Sequence, residues 1–245
     1  MPGVFSSEVR YRTLDEFRAH VEKVKGFFGP GLSARSSVLL GDPPSALNAE
    51  QKVLLSALDT VRETFNLPIY SFIDLFTIPK SKSVMHYQDM KRHGLEKVYF
   101  LLETGSNRVV KAFRNLTNVT DAINIVNNLK TAGLNVGLIV LAGTGGKTLS
   151  REHVEATAGI VGQMQLGEGG DSLFICPVRE DEDSIYAGEM DKRGPCEDEP
   201  GGEVQGGGRA PEEDKGGVRE HKRQAALSQG GKVRPAGERI LVLTL

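Results

Sequence analysis

The chain has 245 residues, 39% of them hydrophobic and 25% charged, which is room for one large α/β domain or two small ones around a real core. A formal charge of −2 and a pI near 6.2 exclude the broad basic field that draws proteins to nucleic acid or to anionic membranes, so neither partner is expected. No apolar run approaches the roughly 18 to 20 residues that span a bilayer, and Met1-Pro2-Gly3-Val4 has no basic stretch leading into an apolar one, so a cytoplasmic protein is expected.

From about residue 13 to 178, strand-like apolar runs alternate with amphipathic helical patterns, the arrangement of parallel strands joined by crossover helices. Thr13 with Glu16 three residues on predicts a capping box, and Leu14, Phe17, Val21 and Val24 form the stripe of a helix that Gly29-Pro30 stops. A strand over 36–40 ends in Gly41-Asp42-Pro43-Pro44. A helix follows from behind Asn48 to about Phe65, then a strand over 67–72 and a helix near 83–93 that ends at Gly94. The third strand, 97–102, runs into Glu103-Thr104-Gly105-Ser106, with helical stretches at 106–114 and 118–132, the second closed by Gly133. The fourth, 136–141, reaches the glycine-rich loop Gly143-Thr144-Gly145-Gly146-Lys147-Thr148. A helix from near Ser150 and a strand over 172–178 complete five strands.

Beyond Tyr186, glycine, proline and charge replace periodic hydrophobicity. A segment with so little apolar surface to bury does not offset the entropy of ordering, so residues 191–237 are expected to be disordered. The domain reading is therefore an α/β barrel-like unit over 10–190 and a low-complexity tail over 191–245, in which 240–245 is a short apolar run able to pair as a strand.

The glycine loop invites comparison with a phosphate-binding P-loop, since strand, glycines, Lys147-Thr148 and helix follow in order. The glycine that a P-loop needs five positions before the Gly-Lys pair is here Leu141, and no later strand ends in a magnesium-binding aspartate. A nucleotide-binding P-loop stays as the weaker alternative, and a tight strand-to-helix turn is the plainer one. Cys176 and Cys196 are too few for a disulfide scaffold and are not spaced as zinc ligands. His86, His93 and His153 lie at unrelated spacings that do not suggest a metal site.

Several segments in order carry a resemblance. Gly94 to Ser106, GLEKVYFLLETGS, is similar to a "GL-x-x-VY-x-GLE-[ST]-G" signature of radical S-adenosylmethionine (radical SAM) proteins. Leu39-Leu40-Gly41-Asp42 and Phe72-Ile73-Asp74-Leu75-Phe76 resemble two strand ends of the same family. Leu129 to Leu141 continues into the glycine loop in the family manner, and Gln165 to Phe174 agrees as well. The resemblance implies a partial parallel (βα) barrel of the radical SAM/TIM-barrel type, with ligands bound at the C-terminal ends of the strands.

It further implies S-adenosylmethionine as cofactor. Gly41 and Asp42 would meet the methionine ammonium, Glu103 the ribose or methionine portion, and the backbone at Gly143, Gly145 and Gly146 the adenine, with Asp74 and Ser106 also at strand ends. For each acid the plainer reading is a solvated strand-end carboxylate.

The resembled enzymes cleave S-adenosylmethionine reductively at a 4Fe-4S cluster held by a CxxxCxxC loop after the first barrel strand. No such triplet occurs in the chain, which resembles the family only from about Val9-Arg10 onward, so the first strand is expected to be missing too. Three accounts compete: a late start or gene lesion, the favoured one; a non-catalytic S-adenosylmethionine-binding or scaffold pseudoenzyme; and an unrelated α/β protein. A shifted reading frame would explain the tail. The expectation is a chain inactive as written, acting in the family on a small-molecule or unknown substrate, with an exposed sheet edge that makes it unstable or dependent on a partner chain.

Overall fold

The computed structural model describes residues 11–41, 45–74, 82–112, 118–167, 169–178 and 240–245. Six strands form one parallel sheet: β1 (Ser37–Leu40), β2 (Ile69–Asp74), β3 (Leu95–Glu103), β4 (Asn135–Ala142), β5 (Ser172–Pro177) and β6 (Ile240–Leu243). Their spatial order is β5-β4-β3-β2-β1-β6, every neighbouring pair parallel. The helices α1 (Leu14–Phe28), α2 (Gln51–Phe65), α3 (Val84–Arg92), α4 (Asn107–Ala112), α5 (Val119–Thr131) and α6 (Gly146–Val161) lie between strands in sequence, the crossover arrangement that parallel pairing demands.

Local chemistry sets the boundaries. Thr13 and Glu16 make the reciprocal capping box that opens α1. Gly94 and Gly133 have φ of +103° and +81°, and there the chain leaves α3 and α5 for the next strand. A 3-10 turn at Ala46–Asn48 delays α2 to Gln51, later than the expected start behind Asn48.

Side chains alternate along each strand. Val38, Leu40, Ile69, Ile73, Val98, Phe100, Leu102, Val136, Leu138 and Val140 pack against helix residues such as Leu54, Leu58, Met90, Val126 and Leu129. The opposite face gathers Leu39, Tyr99, Ile139, Cys176 and Ile240 with Tyr70, Phe72, Leu101, Leu141, Phe174 and Val242, all from strands. No described helix lies over these residues, and their burial fits a sheet curled on itself as the interior of a partial barrel. Gly137 makes room inside: a Cβ there would overlap the Tyr99 ring, which packs edge-on to Tyr70 at 6.0 Å between centroids.

The sheet has one strand more than the five expected. Ile240–Leu243 pairs in register with Ser37–Leu40, and the Gly41 amide donates to the Leu243 carbonyl at 2.8 Å. The edge of β1 expected to lie bare is thus covered, because a short apolar run whose side chains enter the two cores alternately fits both the ladder and the cores. Among the described residues the open edge belongs to β5, where Leu173 and Ile175 are 50% and 61% exposed. Residues 191–237, for which disorder is expected, lie outside the described residues. No helix among the described residues is long and apolar enough to cross a membrane.

Candidate functional site

In a parallel barrel the strand ends and the loops after them share one mouth. At the end of β1, Gly41 takes φ +125°, a conformation that favours glycine, and a Cβ there would crowd Ala46 at 3.3 Å. Asp42, the neighbouring candidate, lies outside the described residues. Asp74 closes β2 and is buried, 8% exposed.

Glu103 closes β3. The β3–β4 register shifts between Leu101 and Glu103, so Leu102 is an extra residue, and Glu103 adopts φ +60°. Such a conformation in a residue with a Cβ costs on the order of 1 kcal/mol and persists only where surroundings impose it. Burial pushes the Glu103 carboxyl up to about 7, and the negative charge of Asp74 adds to the rise. The structure thus brings these two candidates together as a carboxyl pair at the mouth, one of them poised to change charge near neutrality.

Ser106 is turned elsewhere. Its hydroxyl donates to Glu152 of α6 at 2.7 Å and accepts the Val109 amide at 3.2 Å, capping the short α4. Glu152 also pairs with Arg108 at 3.2 Å. These groups border an open groove of about 610 Å³ between α4, α5 and α6.

The glycines after β4 divide by role. Gly143 and Gly146 adopt φ of +97° and +55°. Gly145 is needed for closeness, because a Cβ would stand 2.5 Å from the Leu149 carbonyl oxygen. Around Gly143 the nearest atom to a Cβ would be 4.0 Å away, so its positive φ rather than crowding favours glycine there. The turn is tied by the Thr144 hydroxyl donating to Leu141 at 2.6 Å and by the Gly146 amide donating to Gly143 at 2.9 Å.

His153, Thr104 and Thr157 were not singled out as site residues by the sequence, yet all three are buried behind these loops. The available signal was the four-residue spacing of Leu149, His153 and Thr157, which puts them on one face of α6. His86 instead caps α3 through Ser83, and His93 bonds Asp59 at 2.9 Å. Among the described residues no group of three His, Cys, Asp or Glu side chains is placed to hold a metal ion.

A curled parallel sheet with helices outside and a polar mouth at its strand ends defines a partial (βα) barrel. Among solved structures, it is similar to coproporphyrinogen III oxidase (HemN) from Escherichia coli, described as a radical SAM enzyme, with TM-score 0.53 and 14% identity over 72% of this chain and 40% of that one. It is also similar to HydG, a maturase of the FeFe-hydrogenase, with TM-score 0.52 and 15% identity over 76% of this chain and 40% of that one. The chain spans less than half the length of either, and of methylornithine synthase (PylB), which it matches over 46% of that chain with 17% identity at TM-score 0.48. No family model and no curated protein matches the sequence.

Proposed function

We propose that the chain binds S-adenosylmethionine at the C-terminal mouth of its barrel. The observation that carries this reading is the pairing of Asp74 with the half-buried Glu103 at the mouth of a radical SAM-type fold. S-adenosylmethionine carries a sulfonium and an ammonium against one carboxylate, a net positive charge. Such a ligand offsets the repulsion between the two acids and favours the ionised Glu103, which then accepts hydrogen bonds from a ribose diol. Gly41 and Asp42 are assigned to the ammonium, and the backbone at Gly143, Gly145 and Gly146 to the adenine edge. Tyr70, Phe72 and Leu101 close the barrel below and keep water from the inner face of the ligand.

The chain's own residues do not fit a cluster held by three thiolates. The sequence contains two cysteines, and Cys176 points into the barrel, 3% exposed, with burial pushing its thiol up. We infer that these 245 residues by themselves bind S-adenosylmethionine without cleaving it. Among the described residues no strand covers the outer edge of β5, which supports dependence on a partner chain for any further activity.

Equilibrium dialysis with labelled S-adenosylmethionine tests the reading. Binding is expected to strengthen as pH rises through about 7, and Glu103→Gln is expected to weaken it about 10- to 100-fold at pH 8, the loss of one or two charge-assisted hydrogen bonds. Absence of saturable binding by the wild-type chain sinks the proposal. Formation of 5′-deoxyadenosine after anaerobic incubation with iron, sulfide and reductant would refute the non-cleaving assignment.

A further inference from the structure

α6 reaches the ends of two neighbouring strands through one buried side chain. His153, 4% exposed, places Nδ1 2.8 Å from Thr104 Oγ1 at the end of β3. The same ring hydrogen-bonds the Leu141 carbonyl at the end of β4. A carbonyl only accepts, so a ring N–H faces Leu141. Thr104 Oγ1 already accepts the Ser106 amide at 3.1 Å, which leaves its proton for the ring. One turn along α6, Thr157 Oγ1 accepts the Gly105 amide at 2.8 Å and lies 3.5 Å from His153 Nδ1.

The backbone approaches as closely as the side chains. A Cβ on Gly105 would sit 2.5 Å from Thr157 Cα, and one on Gly145 would sit 2.8 Å from His153 Cβ. Both strand-end loops are therefore seated directly on the same two turns of α6. Glu152, the adjacent acid, is engaged by Ser106 and Arg108, and Glu103 faces Asp74. The ring's hydrogen-bonding partners are thus neutral, and it has no ion-pair partner among the described residues.

We propose that His153 is a positioning residue that sets the β3 and β4 loops against each other. The neutral ring carries its proton on Nε2, donates to Leu141 and accepts the Thr104 hydroxyl on Nδ1. Through Thr104 it fixes the backbone that presents Glu103, and through Leu141 the turn that presents Gly143. Its effect on ligand affinity rests on the S-adenosylmethionine reading of the mouth, whereas the strut itself does not.

The experiment uses the full chain with His153→Phe, His153→Asn and, against the chance that these fail to fold, Thr104→Val and Thr157→Val. Imidazole nitrogen shifts of the wild type are expected to show a protonated Nε2 and an unprotonated, hydrogen-bonded Nδ1; a cationic ring or the opposite tautomer overturns the assignment. In His153→Phe, amide exchange is expected to quicken at least tenfold at Gly105, Ser106 and Gly146 together, while α2 and α3 keep their rates. Exchange that stays unchanged, or rises only on one loop, overturns the strut.

Dialysis is expected to show S-adenosylmethionine binding at least tenfold weaker in His153→Phe, with partial recovery in His153→Asn, whose amide oxygen restores the Thr104 bond. Wild-type affinity in a folded His153→Phe overturns the positioning role. If the wild type binds no S-adenosylmethionine, the ligand reading fails and the exchange and tautomer results still judge the strut.

Discussion

Replacing Glu103 by Gln removes a carboxyl that folding makes hard to ionise, and the consequence for stability depends on pH in a defined direction. Folding raises the Glu103 pKa from 4.5 to about 7, through burial first and the charge of Asp74 second. A raised pKa means that the acid stabilises the fold fully when protonated, below about 4.5, and that this stability is lost as pH rises through about 7. At 1.36 kcal/mol per pH unit the loss approaches about 3 kcal/mol at pH 8 and is under about 1 kcal/mol at pH 5. Between the two pH values the expected difference is about 2 kcal/mol.

The neutral glutamine is indifferent to pH in this range. Urea unfolding of wild type and Glu103→Gln at pH 5 and pH 8 is the assay, and the variant's advantage should grow by about 1 M in midpoint between the two, at a slope of about 2 kcal/mol/M. The comparison between variants cancels the titration of every group that does not interact with Glu103, so it reports on the carboxyl pair as a unit. A midpoint difference that is the same at both pH values would refute the electrostatic account of the carboxyl pair.

Other variants probe the scaffold. The Tyr87 hydroxyl is fully buried without a hydrogen-bond partner among the described residues; Tyr87→Phe removes that orphan group, and thermal unfolding should show stability unchanged or raised by about 1 kcal/mol. For Asp171, burial opposes ionisation, but hydrogen bonds from Lys130, Gly167 and Val136 outweigh it and hold the carboxyl below its usual 3.8. Asp171→Asn should therefore cost about 1 to 3 kcal/mol at pH 7 by denaturant titration, a deficit that shrinks as pH falls below 3.8. Gly137→Ala would drive a methyl into the Tyr99 ring, with an expected cost of about 1 to 3 kcal/mol and a changed near-ultraviolet tyrosine signal.

The alternation of apolar strands with amphipathic helices was legible residue by residue because parallel strands buried on both faces read as continuous runs, as in Val136–Leu141. Helix ends were legible where a single side chain decides them, as at Thr13, or where a glycine does, as at Gly94 and Gly133. What stayed hidden depends on contacts between distant residues. Nothing local announces that Ile240–Leu243 pairs with β1, since four apolar residues carry no address for their partner. Nor does the string Glu-Thr-Gly-Ser reveal that Glu103 and Ser106, three apart, serve different places: a bulge and a positive φ turn one toward Asp74, and a cap turns the other toward Glu152. His153 has no metal-ligand spacing to mark it in the sequence, and its importance comes from two strand ends more than ten residues away along the chain.

The pairing of β6 with β1 brings remote parts of the chain together, and the Arg12 guanidinium donates to the Thr244 carbonyl at 2.8 Å. A covalent join across that short gap, with the chain reopened anywhere in 179–239, would move β6 to the front. The rearranged polypeptide would then read β6-α1-β1-α2-β2 and onward, with sequence order and spatial order identical across the whole sheet. In this sense the molecule is a circular permutation of a regular βα array, with its sixth strand filling the place of a first.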